Sequence, residues 1–96
     1  MLTFEDCLAL CDLTEKEIAA IAEHEHIPDM VAIELGDYLI HTENGEWKIT
    51  TMILNDIKNA LNAGNTAHAD ELQDLLKQFV LTHPKMQEMV RQQTND

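Results

Sequence analysis

Residues Leu13–Leu39, LTEKEIAAIAEHEHIPDMVAIELGDYL, write two helices and the corner between them in one unbroken pattern. Thr14 is placed to cap the first helix, and Glu17, three residues on, can reach back to the cap. Leu13 and Ile18 flank that pair as a hydrophobic staple. Apolar residues then recur at Ile18, Ile21 and Ala22, while Glu15, Lys16, Glu23 and Glu25 fall on the wet side. Ile27-Pro28 stops the helix, because a proline disfavours helical geometry in the residue before it. Pro28 and Asp29 suit the first turn of a second helix carrying Met30, Val31, Ile33, Leu35 and Leu39.

Upstream, Thr3 and Asp6 repeat the capping signature, and Phe4, Cys7, Leu8 and Cys11 follow at helical spacing. A helix this short needs a neighbour to lean on. Downstream, His41–Glu46 (HTENGE) is polar. Its Asn44-Gly45 is also the strongest short hairpin signal, with Ile40, Trp47 and Ile49 as flanks. A loop is favoured, because an isolated hairpin is weak in water and the sequence that follows is strongly helical. From about Trp47 a long helix carries the stripe Ile49, Met52, Ile53, Leu54, Ile57, Ala60 and Leu61, with Gly64 at the left-handed end. Asn65 or Thr66 caps the next helix, whose stripe is Leu72, Leu75, Leu76, Phe79 and Val80. So short a connection makes these two an antiparallel hairpin of helices. His83-Pro84 ends it. The expectation is an all-α bundle of about five helices in one domain over residues 1–84. Residues 85–96 then add a short helix, Met86–Gln92, or a frayed tail.

Composition narrows the function. The 96 residues are 45% hydrophobic and 25% charged, which is ordinary for a folded protein with one modest core. No apolar run is long enough to span a bilayer, and MLTFEDC lacks the basic flank of a signal peptide. A cytosolic setting, with Cys7 and Cys11 as reduced thiols, is therefore expected. The net charge is −12, and it is unevenly spread. Residues 1–46 hold twelve acidic side chains against Lys16 alone, giving −11; residues 47–96 hold six against five, giving −1. Such a surface repels phosphate backbones and anionic lipid, and favours a basic patch on another protein. The same charge also serves solubility.

Most catalytic patterns are missing; a Cys-His nucleophile pair is not excluded by composition, but small helical bundles of this length rarely enclose a substrate pocket. The chain has no serine, so a Ser-His-Asp triad is excluded, and three glycines do not make a phosphate loop. The central helix pair has the outline of a helix-turn-helix, yet its second helix carries Asp29, Glu34 and Asp37 and no Lys or Arg. Recognition helices need basic or amide groups toward phosphates and bases, so direct nucleic-acid binding is not expected. The acidic face could instead imitate a nucleic acid toward a basic protein. Glu23-His24-Glu25-His26 contains the Glu-x-x-His spacing of di-iron bundles, but such sites need two motifs and two further glutamates. Here there is one motif, with Glu34 the nearest extra carboxylate. His24 and His26 near a helix C-terminus are also favoured by the macrodipole, which accounts for both. Cys7 and Cys11 read as small core residues.

The run FEDCLALCDLTEKEIAAIAEHEHIP, residues 4–28, is similar to the opening of a family of small uncharacterised bacterial proteins, and the similarity extends to about Pro84. That resemblance implies a compact, all-helical, cytosolic protein. It implies no activity and transfers no site residue. The expected function is a small acidic interaction or regulatory module without catalytic activity or cofactor. Its partner is a basic surface of another protein, met by Glu15, Glu23, Glu25, Asp29 and Glu34; neither nucleic acid nor membrane is a partner. The alternative from another class is a metal-binding or redox-sensing protein using Cys7, Cys11, Glu23, His24 and His26.

Overall fold

Two reciprocal caps start the chain's first two helices. Thr3 Oγ1 accepts from the Asp6 amide at 3.1 Å and Asp6 Oδ2 accepts from the Thr3 amide at 3.2 Å. Thr14 and Glu17 do the same at 3.2 and 2.8 Å. A computed structural model describes residues 3–84 and gives an all-α bundle: α1 Phe4–Ala9, α2 Glu15–Glu25, α3 Asp29–Ile40, α4 Gly45–Asn62 and α5 Thr66–Thr82. The expected Met86–Gln92 helix and the frayed tail lie outside the described residues. No helix among the described residues is long and apolar enough to cross a membrane.

The α2–α3 corner is built as its sequence requires, with one addition. His26, rather than a glycine, takes the left-handed conformation (φ 57°) that ends α2, and the Ile27 amide reaches back to the Ala22 carbonyl at 3.1 Å. Pro28 then opens α3 with extended backbone. Across the corner the two helices close tightly, because Gly36 removes a side chain where α2 needs space. A Cβ there would stand 2.7 Å from Leu13 Cδ1 and 3.1 Å from the Cδ1 atoms of Ile18 and Ile21. Leu13 and Ile18, the staple, are both buried, Ile18 completely. Ile33 and Leu39 of α3 join them in the core, while Met30 and Val31 are exposed.

The loop between α3 and α4 is shorter than expected. α4 starts at Gly45, two residues before Trp47, and no described residue is in a strand, so the hairpin alternative is not adopted. The reason is steric. Asn44 adopts the left-handed region (φ 65°) and swings the chain back over the end of α3. A Cβ at Gly45 would lie 1.4 Å from the Leu39 carbonyl oxygen, so only glycine fits.

α4 and α5 form the most extensive helix pair. Gly64 (φ 76°) turns the chain, and the Asn65 side chain caps α5 by accepting from the His68 amide at 3.3 Å. Ile49, Ile53, Ile57, Leu72 and Phe79 supply their share of the core. The α4 stripe is narrower than its sequence suggests: Leu54 is 43% and Leu61 50% exposed. α1 contributes no fully buried residue. Phe4, Cys7 and Leu8 lie half-buried against the core, and α1 stops at Ala9, so Cys11 leaves the helix face expected to carry both thiols.

Candidate protein-interaction groove

α2 presents two unlike sides. Ile18 and Ile21 face the core, whereas Ala19 is exposed beside an open groove of about 720 Å³ toward α5; Ala20 also lines it but is only 6% exposed and belongs to the core. Helix periodicity places them so, since successive residues are roughly 100° apart around the axis. Ala19 is too short to bridge the gap to α5, and no described side chain fills the groove. Leu72 and Leu75 complete its apolar floor from the α5 side. Thr14 and Glu15 from the start of α2, and Gln78 and Thr82 from the end of α5, line the same groove. At the other end, both Glu23 oxygens accept from Nε2 of His68, at 2.8 and 3.1 Å. The start of α5 thus meets the end of α2, so the two helices run antiparallel and one ion pair closes one end. Glu15, Glu23, Glu71 and Asp74 are exposed carboxylates lining the groove, and Lys16 is the one lysine among its described lining residues.

Of the five carboxylates expected to meet a partner, Glu15 and Glu23 lie on this groove. Glu25 ends α2, Asp29 starts α3 and Glu34 lies within α3; all are exposed, and none lines the groove. Glu71 and Asp74 were missed. Counting charge by halves of the sequence points away from them, because they belong to the nearly neutral half. Their signal was present in α5 itself: Glu71, Asp74 and Gln78 share one helix face beside Leu72 and Leu75.

The residues of the metal-binding alternative are not assembled. Cys7 and Cys11 are free, half-buried thiols on and just after α1, and Cys11 Sγ accepts a long 3.5 Å contact from the Leu13 amide. His26 is the left-handed end-cap of α2. His24 turns to α4, where Nδ1 donates to Asp56 Oδ1 at 3.0 Å. Glu23 is held by His68. Among the described residues, no three His, Cys, Asp or Glu side chains converge as a metal site would need. The helix-end reading of His24 and His26 is right about place, but His24 has a specific partner that no local spacing announces. Among the described residues every ion pair has a histidine on its cationic side.

Comparisons of the chain with protein-family models, with curated proteins and with solved structures found no match, so its function has to be reasoned from its own surface.

Proposed function

We propose that the chain is a small acidic protein-interaction module, without catalytic activity of its own, that receives a basic surface of another protein. The observation that carries this reading is the groove between α2 and α5: an apolar floor of Ala19, Ala20, Leu72 and Leu75 lined, among the described residues, by Glu15, Glu23, Glu71 and Asp74 against a single lysine. An apolar centre with a charged margin is the anatomy of a protein contact surface. The carboxylates lie along a shallow depression rather than converging on one point, which suits docking better than bond-making chemistry. Two free thiols fit a reducing, cytosolic setting. The surplus of negative charge disfavours nucleic acid and anionic lipid as partners.

The test neutralises the groove carboxylates that have no histidine partner across the groove, as Glu15→Gln, Glu71→Gln and Asp74→Asn together. Glu23 is left alone because it also holds His68. A partner recovered by cross-linking in cells is purified, and its association rate is measured for parent and triple variant across a salt series. The expected result is association slowed by about tenfold at low salt and a flatter salt dependence. Equal rates and equal salt slopes would reduce the acidic surface to a role in solubility.

A further inference from the structure

We infer that the occupant of the α2–α5 groove is an amphipathic helix with basic flanks, laid along the groove with its apolar face on Ala19 and Leu75, above the buried Ala20 and Leu72. This rests on the reading of the protein as an acidic interaction module and goes further by naming the form of the partner. Three features select that form.

The first is shape. The groove follows α2 from Thr14 to Glu23, about 14 Å at 1.5 Å per residue, or two to three helical turns. Two antiparallel helices with small residues at the base let a third approach at the usual ~8–10 Å between axes. Ala19 and the buried Ala20 supply that small base, and Leu75, above the buried Leu72, supplies the ridge a partner's apolar side chains would lie against.

The second is the backbone. An extended peptide binds by pairing its main chain with a sheet edge, and no described residue is in a strand. The interiors of α2 and α5 use their main-chain groups within the helices. A partner therefore meets side chains only, and a helix, whose own backbone is already satisfied, loses least on docking.

The third is charge. Among the described residues, Glu15, Glu71 and Asp74 face an occupant with Lys16 as the only lysine beside them, and Glu23 closes the end with His68. Lysines or arginines flanking a helix's apolar stripe complement that arrangement. A second copy of this chain does not, because each copy carries a net charge of −12 and the same acidic margin.

The experiment uses three labelled synthetic peptides of about 18 residues, long enough for measurable helicity. One carries leucines at i, i+4, i+7 and i+11 with lysines on the flanks. A second has the same composition scrambled so that the leucines share no face, and a third replaces the lysines by glutamates. Binding to the full chain is read by fluorescence anisotropy. The first peptide should bind at least ~10-fold more tightly than either of the others. Ala19→Gln fills the floor without altering charge, on an exposed helix position that tolerates it, and should weaken the first peptide by roughly tenfold. Glu71→Gln with Asp74→Asn should weaken it to a similar degree, which keeps the test decisive should the Ala19 variant fold poorly. Glu25→Gln, Asp29→Asn and Glu34→Gln together, all away from the groove, should change it by less than about twofold.

Equal binding of the scrambled peptide, or unchanged binding with both groove variants, overturns the helix-in-groove assignment. So does a concentration-dependent dimer, by sedimentation, that Ala19→Gln abolishes. If the three carboxylates outside the groove govern a salt-dependent affinity while the groove variants do not, the groove assignment falls and the acidic-module reading stands. If no charge variant and no salt concentration alters binding, both fall.

Discussion

α2 is one helix with two fates. Its inward side, Ile18 and Ile21, is closed against α3 so tightly that Gly36 has to lack a side chain. Its other side, exposed at Ala19, sits one residue along in sequence and leaves a gap of about 720 Å³ before α5, with the buried Ala20 at its foot. The backbone is the same on both sides; side-chain volume makes the difference. Branched side chains fill the space between helices and gain about 1.5–3 kcal/mol each on full burial. Alanines bring the helix surface close to its neighbour's side chains but leave a trough beside it. The closed side holds the fold, and the open side is left uncovered by the described residues. On the proposed reading, stability and binding can be perturbed separately here, at adjacent residues.

The largest effect should come from the closed side. Ile18→Ala removes a completely buried side chain wedged against the Gly36 backbone and should cost roughly 3–4 kcal/mol. Its neighbour Ala19, exposed on the groove, should accept glutamine within about 0.5 kcal/mol. Urea denaturation of the two variants gives the contrast directly. Similar midpoints would mean that the two sides of α2 are not energetically distinct.

Much of the closed side was legible in the sequence, because its signals are local. Thr14, Glu17, Leu13 and Ile18 announce cap and staple within six residues, and the structure forms both. Gly64 and Asn65 likewise mark the α4–α5 turn. The start of α4 was misplaced because the constraint on Gly45 is the Leu39 carbonyl of the preceding helix, a tertiary neighbour that no window contains. The groove was half-legible. Glu15 and Glu23 stood out, whereas Glu71 and Asp74 belong to it only because α5 lies antiparallel to α2. The His24–Asp56 and Glu23–His68 pairs join residues far apart in sequence and were invisible for the same reason.

Two smaller effects sharpen how the closed side is anchored at its ends. Thr14→Ala removes the hydroxyl oxygen that accepts from the Glu17 amide and should cost about 1 kcal/mol. At the other end, His26 holds a positive φ that glycine adopts freely. His26→Gly should therefore raise stability by about 0.5–1 kcal/mol, since it relieves left-handed strain and leaves the Ile27–Ala22 bond in place. Both are read as shifts in the urea midpoint at constant slope. A destabilised His26→Gly variant would show that the His26 side chain, rather than its backbone angle, matters at this corner.

The smallest effect lies at the outer margin of the closed side, where His41 ties the end of α3 to the connection before α2. Its Nδ1 donates to the Asp37 carbonyl at 2.7 Å, and this bond is the main reason its pKa is raised above the ordinary 6.5. Slight desolvation opposes the shift, and the carboxylates of Asp37 (3.6 Å) and Asp12 (3.4 Å) reinforce it. Because the folded state binds the proton more tightly than the unfolded chain, the stabilisation is fully present below the unfolded value of 6.5. It is lost as pH rises through the raised folded value. The imidazole is exposed, so water and salt screen the interaction and the effect is modest. His41→Gln should thus lower the melting temperature slightly at about pH 5.5 and leave it unchanged at about pH 8.5, with the acidic difference shrinking in high salt. The binding of a helical peptide to the groove should not respond to this variant at either pH, because His41 does not line the groove. A deficit that persists at alkaline pH would assign His41 a packing role in place of an electrostatic one. A change in peptide affinity would mean that the two sides of α2 are coupled rather than separable.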